Sequence, residues 1–590
     1  MNSKHFETIE HCVDVCVVGG GLAGLCAAVS AARNGAVTAL VQDRPMLGGN
    51  ASSEIRMWVC GAHGKNNRET GIVEELMLEN LYRNPYKNYS IWDSVMLGIV
   101  RREPLIQLYL NCSCLDGKTE NGKIESILAW QTTTQKYHCF KAMVFIDCSG
   151  DSVLAPISGA EYRMGREGRR EYGESIAPEA PDDKTMGLSC ILQAREYPEE
   201  RKFVAPDFAE KLNDDNFLGR TPNLHDAMEN FWYLELGGNQ NTIDDTEKLR
   251  DRLVSLAYGT WDYLKNSPKY AEKSKNFDLE WVGVLPGKRE SRRYIGDYVM
   301  TQNDIESGGH FNDIIAYGGW TMDDHNPDGF DGKDAPNIFH PAPSPYGIPY
   351  RCIYSKTVEN LMFAGRNISV THSALSSTRV MATCGVIGQA AGAAAAMAVR
   401  YSIKPRDVGE RISELQQLLE EQDIWLPFIK KEIGSATLKA AVQSNMKNID
   451  LLFNGIERES DDSKNYASGG QGSTVRLIFE KPVSINGVRL VFDSDLNRET
   501  LPEQEKRMNR NMIHNIPLGQ EASYPPKTLM RRFSVILTLD NGETEKREIN
   551  NYYQRLFIWR VRRKIKEAAV ILEETWGSTE YRLFSFEVTE

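Results

Sequence analysis

The sequence has no C-x-x-C pair, no uninterrupted apolar run of about 18 residues and no surplus of basic charge. Each absence removes a class of function. Eleven cysteines, an odd number, lie scattered, with Cys112-x-Cys114 the tightest spacing. Neither a disulfide framework nor a zinc site is expected, and the usage suits a reducing compartment. Without a long apolar run, no membrane-spanning helix is expected. Residues 1–12 carry Lys4, Glu7 and Glu10 and no apolar stretch, which predicts no secretory signal and a cytoplasmic location. A formal net charge of −12 supplies no basic field for nucleic acid or an anionic membrane. The basic runs Lys288-Arg289 with Arg292-Arg293, and Arg560 to Lys566, read as solvated or ion-paired faces.

What is present starts with Val13-Asp14-Val15-Cys16-Val17-Val18, whose β-branched density predicts a buried parallel strand. Gly19-Gly20-Gly21-Leu22-Ala23-Gly24 follows, then helix formers to Arg33, a stop at Asn34-Gly35 and a second strand from Val37 to Val41. That is a dinucleotide-binding βαβ unit. Gly19 makes the tight turn, Gly21 lets a pyrophosphate approach the backbone, and Gly24 lets helix and strand pack closely. The phosphates meet the helix N-terminus, where free N–H groups and the dipole favour anions. The position that usually carries the ribose-binding acid holds Gln42, with Asp43 next to it. The motif alone leaves FAD and NAD both open.

At 590 residues the chain exceeds one core. Strands at Leu108 to Leu110, Ile124 to Thr134 and Tyr137 to Asp147 predict a meander returning to the nucleotide sheet, so residues 1–156 read as the first part of a nucleotide-binding domain. Residues 157–335, polar and carrying Phe231-Trp232-Tyr233, read as an α+β substrate domain with a polar cleft. Residues 336–404 return to the first sheet and close with a glycine- and alanine-rich helix. A helical connector is expected over 405–459 and an antiparallel β-sandwich over 460–590.

Val17 to Gly24, Leu47-Gly48-Gly49-Asn50, Ile146 to Asp151 and Phe363-Ala364-Gly365-Arg366 stand in a set order. Together they resemble the FAD-dependent oxidoreductase family of the glutathione-reductase-like flavoprotein fold. Gly287 to Arg293, Gly319 to His325 and Ser377 to Cys384 look like the bacterial subgroup often found beside polysaccharide-degrading genes. The C-terminal segment more loosely resembles a galactose-binding-like jelly roll. The resemblance implies FAD as cofactor and an α/β fold with a Rossmann-like domain. It implies Gly19, Gly20, Gly21, Ala23 and Gly24 at the pyrophosphate and Gln42, Asp43 and Arg44 around the adenosine. Gly48, Gly49, Asn50 and Ser53 follow beside ribityl and isoalloxazine, and Cys114, Gly150 and Asp151 around adenine. Gly365-Arg366 departs from the wider fold's Ala-Gly-Asp, and Arg366 is a candidate pyrophosphate ligand. Gly385, Val386 and Ile387 would offer N–H groups to the flavin.

A flavin needs from the protein a base near a substrate C–H bond and groups that hold the substrate. His325 follows Asp323-Asp324, His372 stands six residues after Arg366, and His63 lies in Gly61-Ala62-His63-Gly64. Arg56, Arg292 and Arg379 are candidate anion contacts, Arg292 with ion pairing as its alternative fate. A second G-x-G-x-x-G is missing, so no separate nicotinamide domain is expected. The expected function is oxidation of an alcohol carbon on a sugar-derived or other polyhydroxylated small molecule, with no nucleic acid partner. A C=C reductase, a redox-neutral flavin lyase and a non-enzymatic carbohydrate-binding scaffold stay open as alternatives, as does the oligomeric state.

Overall fold

Thr8–Val18 (β1) is the central strand of the first of two units in the computed structural model, which describes residues 5–222, 224, 230–460, 463–506, 512 and 521–590. The first unit comprises 1–63, 86–416 and 508–520, and the second 64–85, 417–507 and 521–590. In chain order, β2 (Thr38–Val41) pairs parallel with β1 and β3 (Ile106–Tyr109) pairs parallel with β2. β4 (Cys112–Glu120), β5 (Lys123–Gln131) and β6 (Lys136–Asp147) form an antiparallel meander whose last strand pairs parallel with the free edge of β1. Leu361–Phe363 then pairs parallel with the end of β6. Register brings the strand ends level: Val18 lies opposite both Val41 and Asp147, and Phe363 opposite Asp147. The carboxyl edge of the parallel strands is the place where such sheets bind ligands.

Helix α1 (Leu22–Arg33) starts at that edge, and every residue from Leu22 to Ala32 is buried. Small residues let a second helix, α2 (Met381–Tyr401), lie on it at backbone distance. A Cβ on Gly388 would stand 2.1 Å from the Ala23 carbonyl oxygen, and one on Gly392 would stand 2.1 Å from that of Ala27. The shared i, i+4 spacing keeps both contacts on one face of each helix. By length and composition α2 is apolar enough to cross a membrane, but it lies 94% buried inside the unit.

Between about 157 and 335 the chain forms short paired strands and the helix Thr246–Asn266 around an apolar core that includes Leu188, Leu234, Leu256 and Trp261. This matches the α+β character expected of that stretch. Its last strand, β7 (Met322–His325), pairs antiparallel with β8 (Asn337–His340), which lies beyond the expected boundary at 335.

The second unit has an antiparallel β-sandwich at its centre. Ser473–Phe492 and Leu556–Thr575 are 20 residues each and bend at bulges. One half of the pair is flanked by Met530–Leu539 and Ala441–Ser444, the other by Tyr581–Thr589, so both strands serve both layers. Val475, Leu490, Val535, Leu583 and Phe586 meet in one core, joined by Leu78 and Leu81 of the helix Ile72–Arg83. The unit therefore takes in 64–85 and 417–459, which sequence reading assigned to the nucleotide domain and a connector. The buried Arg498–Glu74 ion pair at 2.7 Å fastens the early helix to the sandwich.

Gly392→Ala should lower stability by about 1–3 kcal/mol through overpacking at Ala27. Gly98→Ala, in the helix Tyr89–Arg101 with open space around it, should raise stability by roughly 0.5–1 kcal/mol. Thermal unfolding of the two variants beside the parent checks both signs.

Candidate active site

A cavity of ≈ 520 Å³ opens at the carboxyl edge of the parallel strands in the first unit. Its glycines have different reasons to be there. Gly19 has φ +101°, and a Cβ there would stand 2.5 Å from the Cys148 carbonyl; on Gly24 it would stand 1.8 Å from the Gly19 oxygen. Gly21 has ordinary extended backbone (φ −64°, ψ −179°) as the N-cap of α1. The nearest protein atom to a Cβ on Gly21 is 3.9 Å away, so neither backbone nor packing demands glycine. A side chain there would fill space that the cavity keeps open, which fits a group lying across the α1 N-terminus.

Beside that turn, Gly20 donates its N–H to Gln42 Oε1 at 2.6 Å, and Gln42 Nε2 donates to the Met46 carbonyl at 3.1 Å. Gln42 thus uses one acceptor site and one N–H of its amide to hold the glycine turn against the next loop, while the residue still lines the cavity. Asp43 and Arg44 face the cavity. Burial pushes the Cys114 thiol, also on the wall, up to about 12.

Asp151 lies between two cations, with Lys288 Nζ and Arg366 Nη2 each 2.8 Å away and Ser291 Oγ donating at 2.7 Å. Burial alone would raise its carboxyl, but Arg366 and Lys288 override that and hold it at about 2. Gly150 is what lets the Arg366 guanidinium lie there, since a Cβ would stand 2.4 Å from Nη1. Arg44 Nη1, Arg366 Nε and Arg379 Nε are buried, have no hydrogen-bond partner among the described residues, and belong to side chains on this one cavity.

Strand pair β7–β8 supplies a polar wall. Alternation puts Asp323 and His325 on one face, and the register sets Phe339 and Asn337 opposite them; all four line the cavity. His325, 4% exposed, places Nδ1 2.6 Å from Glu235 Oε2 and Nε2 3.4 Å from Asp323 Oδ2. Arg289 stands 3.4 Å from Glu235 and donates to Ser189 Oγ and the Trp232 carbonyl. Burial raises the Glu235 carboxyl, but Arg289 and His325 outweigh it and bring it below its ordinary range. Trp232 meets the His325 ring edge-on at 5.4 Å, and Trp320 joins the wall.

Asp324, on the other face of β7, reaches a second and dry ion network. His372 sets Nδ1 2.8 Å from Glu290 and Nε2 3.1 Å from Asp324, and its N–H donates to Glu167. Arg293 bridges Glu290 and Glu167. Burial would lower the His372 pKa, but Glu290 and Asp324 raise it to about 10. A histidine off the cavity wall and charged at neutral pH takes up no substrate proton, which corrects its expected candidacy as a base.

Of the expected site residues, Gly19, Gly21, Ala23, Gln42, Asp43, Arg44, Gly48, Gly49, Asn50, Cys114, Gly150, Asp151, Gly365, Arg366 and His325 come together on the cavity. Gly20 and Gly24 lie behind it in the turn's packing. Ser53 lies off it, its N–H held by Asp93. Gly385, Val386 and Ile387 are buried in the second turn of α2, where N–H groups are used inside the helix. The helix offers the cavity Val380, Met381 and Cys384 instead. His63 stacks on the far side of Trp320 at 4.4 Å without reaching the wall. Arg292 packs over Tyr162, and Arg56 is held by Tyr89, Trp281 and Gln193. Sequence reading missed Glu235, Arg289 and Asn337 as site residues. Arg289 stood in a motif already singled out; Glu235 had no local signal.

Residues 14–419 match the family model described as FAD dependent oxidoreductase. Comparison with curated proteins returns no match. Among solved structures, a geranylgeranyl bacteriochlorophyll reductase-like protein from Thermoplasma acidophilum is 13% identical, covering 70% of this chain and 84% of its own at a TM-score of 0.31. A family 32 carbohydrate-binding module from Streptococcus pneumoniae EndoD is 10% identical, covering 26% of this chain and 97% of its own at 0.19. A chitosan-binding module of a Paenibacillus chitosanase/glucanase is 10% identical, covering 27% and 99% at 0.18. Likenesses at such TM-scores decide nothing about the chain.

His372 gains two carboxylates on folding, so its folded pKa of about 10 lies above its ordinary 6.5. The stability it contributes is complete below the lower value and is lost as pH rises through the upper one. Unfolding temperatures of the parent should fall across that window. His372→Gln should be less stable by about 3–5 kcal/mol on its acid side and should lack that fall.

Proposed function

The chain belongs to the FAD dependent oxidoreductase family, and from that premise we propose that the cavity holds FAD and that the enzyme oxidises an alcohol carbon of a polyhydroxylated, sugar-derived small molecule. Gly21 carries the cofactor half of this reading, because no contact with the described residues gives that position a reason to be glycine and a group across the α1 N-terminus would. Gly19, Gly21 and the α1 N-terminus would hold the pyrophosphate, with Arg366 and Lys288 as counter-charges that Asp151 keeps in place. Arg44 and Asp43 would serve the adenosine, and Gly48, Gly49 and Asn50 the ribityl side. When bound, FAD supplies the two-electron acceptor for the hydride of the alcohol carbon.

The rest of the chemistry falls to the β7–β8 wall. Glu235 takes the Nδ1 side of His325 and fixes the ring, and Nε2, which Asp323 Oδ2 faces at 3.4 Å, would accept the hydroxyl proton once the substrate hydroxyl takes the place of that carboxylate. Asp323 beside Nε2 stabilises the charge that His325 then carries. Trp232, Trp320 and Phe339 give apolar faces for sugar C–H surfaces, while Asn337 and Arg379 offer hydrogen bonds to hydroxyls.

Gly21→Ala should leave the unfolding temperature of flavin-free protein unchanged yet purify with much less flavin; full flavin content would sink the cofactor placement. His325→Gln should keep its flavin but slow anaerobic flavin bleaching by the parent's substrate about 10²- to 10⁴-fold. An unchanged bleaching rate removes His325 from the proton step.

A further inference from the structure

We propose that Arg379 forms a carboxylate subsite beside His325, so that the substrate is a hydroxy acid, a sugar acid being its polyhydroxylated case, rather than a neutral polyol. This rests on the alcohol-oxidising reading and narrows its substrate class. Arg379 lies on the cavity wall. Its Nη2 donates to the Asp323 carbonyl at 3.0 Å and to Asp323 Oδ2 at 3.4 Å. Neither Nη1 nor Nε has a hydrogen-bond partner among the described residues, and Nε is shielded from solvent. Asp323 is not its private counter-ion, because His325 Nε2 and Asn337 Nδ2 share the same carboxylate. On the same wall Arg289, 7% exposed, adds a second positive charge.

A guanidinium mostly withdrawn from water needs acceptors for its N–H groups, and among the described residues only Asp323 accepts from Arg379. Arg293 marks the difference. Its Nε is bare as well, but Nη1 and Nη2 carry Glu290, Glu167 and the Gly165 carbonyl, and it lies away from the cavity. Arg366 is another half-partnered guanidinium on the wall, but Asp151 and Gly150 tie it to the glycine-lined part. Arg379 instead touches the residue that touches His325. A carboxylate satisfies such a donor with charge pairing and two-point geometry that a neutral hydroxyl cannot offer. A carboxylate seated there would bring a hydroxyl-bearing carbon of the same molecule within reach of the base.

The test uses the FAD-loaded enzyme under anaerobic conditions, with flavin bleaching followed for D-glucuronate against D-glucose, D-galacturonate against D-galactose, and glucuronamide as the uncharged isostere. The acids should show KM values at least about tenfold below their neutral partners, glucuronamide behaving as glucose. In Arg379→Gln that ratio should fall to near one with flavin content kept. Equal KM values in the parent overturn the proposal. So does a ratio that survives in the variant, including a variant that loses flavin while keeping the preference, which would give Arg379 to the cofactor. If neither acids nor neutral sugars bleach the flavin, the alcohol-oxidation reading fails separately, and the subsite is judged by titrating the flavin spectrum. A saturable change with gluconate but not gluconamide supports it, and no change overturns it.

Discussion

Backbone contact around helix α1 is the constraint on which the active site depends. Gly24 brings the helix against the Gly19 carbonyl, while Gly388 and Gly392 bring α2 against Ala23 and Ala27. A side chain at Gly24 would push α1 away from the Gly19 turn, and one at Gly388 or Gly392 would push α2 away from α1. Held between sheet and α2, its N-terminus has one place to be, the level edge formed by Val18, Val41 and Asp147. Its uncapped N–H groups and dipole are therefore aimed into the cavity by packing alone, with no side chain required.

The second organising element is the segment from Lys288 to Arg293, whose side chains turn in different directions. Lys288 reaches Asp151, Arg289 reaches Glu235, Glu290 reaches His372 and Arg293, and Ser291 reaches Asp151. Asn50 Nδ2 donates to the Lys288 carbonyl at 2.9 Å, which joins the loop after the glycine turn to this segment. One stretch of chain thus sets the charges near the glycine turn, the support behind His325 and the dry network under β7. Lys288, Arg289 and Arg293 are all ion-paired, as the run was read, and Lys288 and Arg289 also line the cavity.

How much of this was legible in the sequence follows from the range of each interaction. The βαβ unit, the meander and the glycine turn rest on local pattern, and they appear where residue type placed them. Gln42 shows what local reading leaves out: its position along the motif pointed to the ribose, and its amide is also bound by Gly20 and Met46. Gly385 to Ile387 are offset because the helix starts at Met381, which puts them in its second turn. Glu235 lies 90 residues from His325 in sequence. No spacing rule joins the two, because they lie on separate short sheets that come together only in the folded polar domain. Helix Ile72–Arg83 could not be assigned to the second unit for the same reason: its partner Arg498 is 424 residues away.

Net charge illustrates the same limit from the other side. The chain carries a formal charge of −12, which argues against polyanionic partners at the surface. The cavity wall reverses that sign, with Arg44, Lys288, Arg289, Arg366 and Arg379 against Asp43, Asp151 and Asp323. Arg289 and Arg44 have Glu235 and Glu54 as counter-ions, while Arg366 and Arg379 each keep a buried Nε without a partner among the described residues, and a low-dielectric wall strengthens the field of such charges. Under the proposed cofactor placement, the two phosphates of FAD would face the charges gathered at Asp151. Those gathered around Asp323 lie with His325, and their balance is a question of substrate chemistry rather than of cofactor binding.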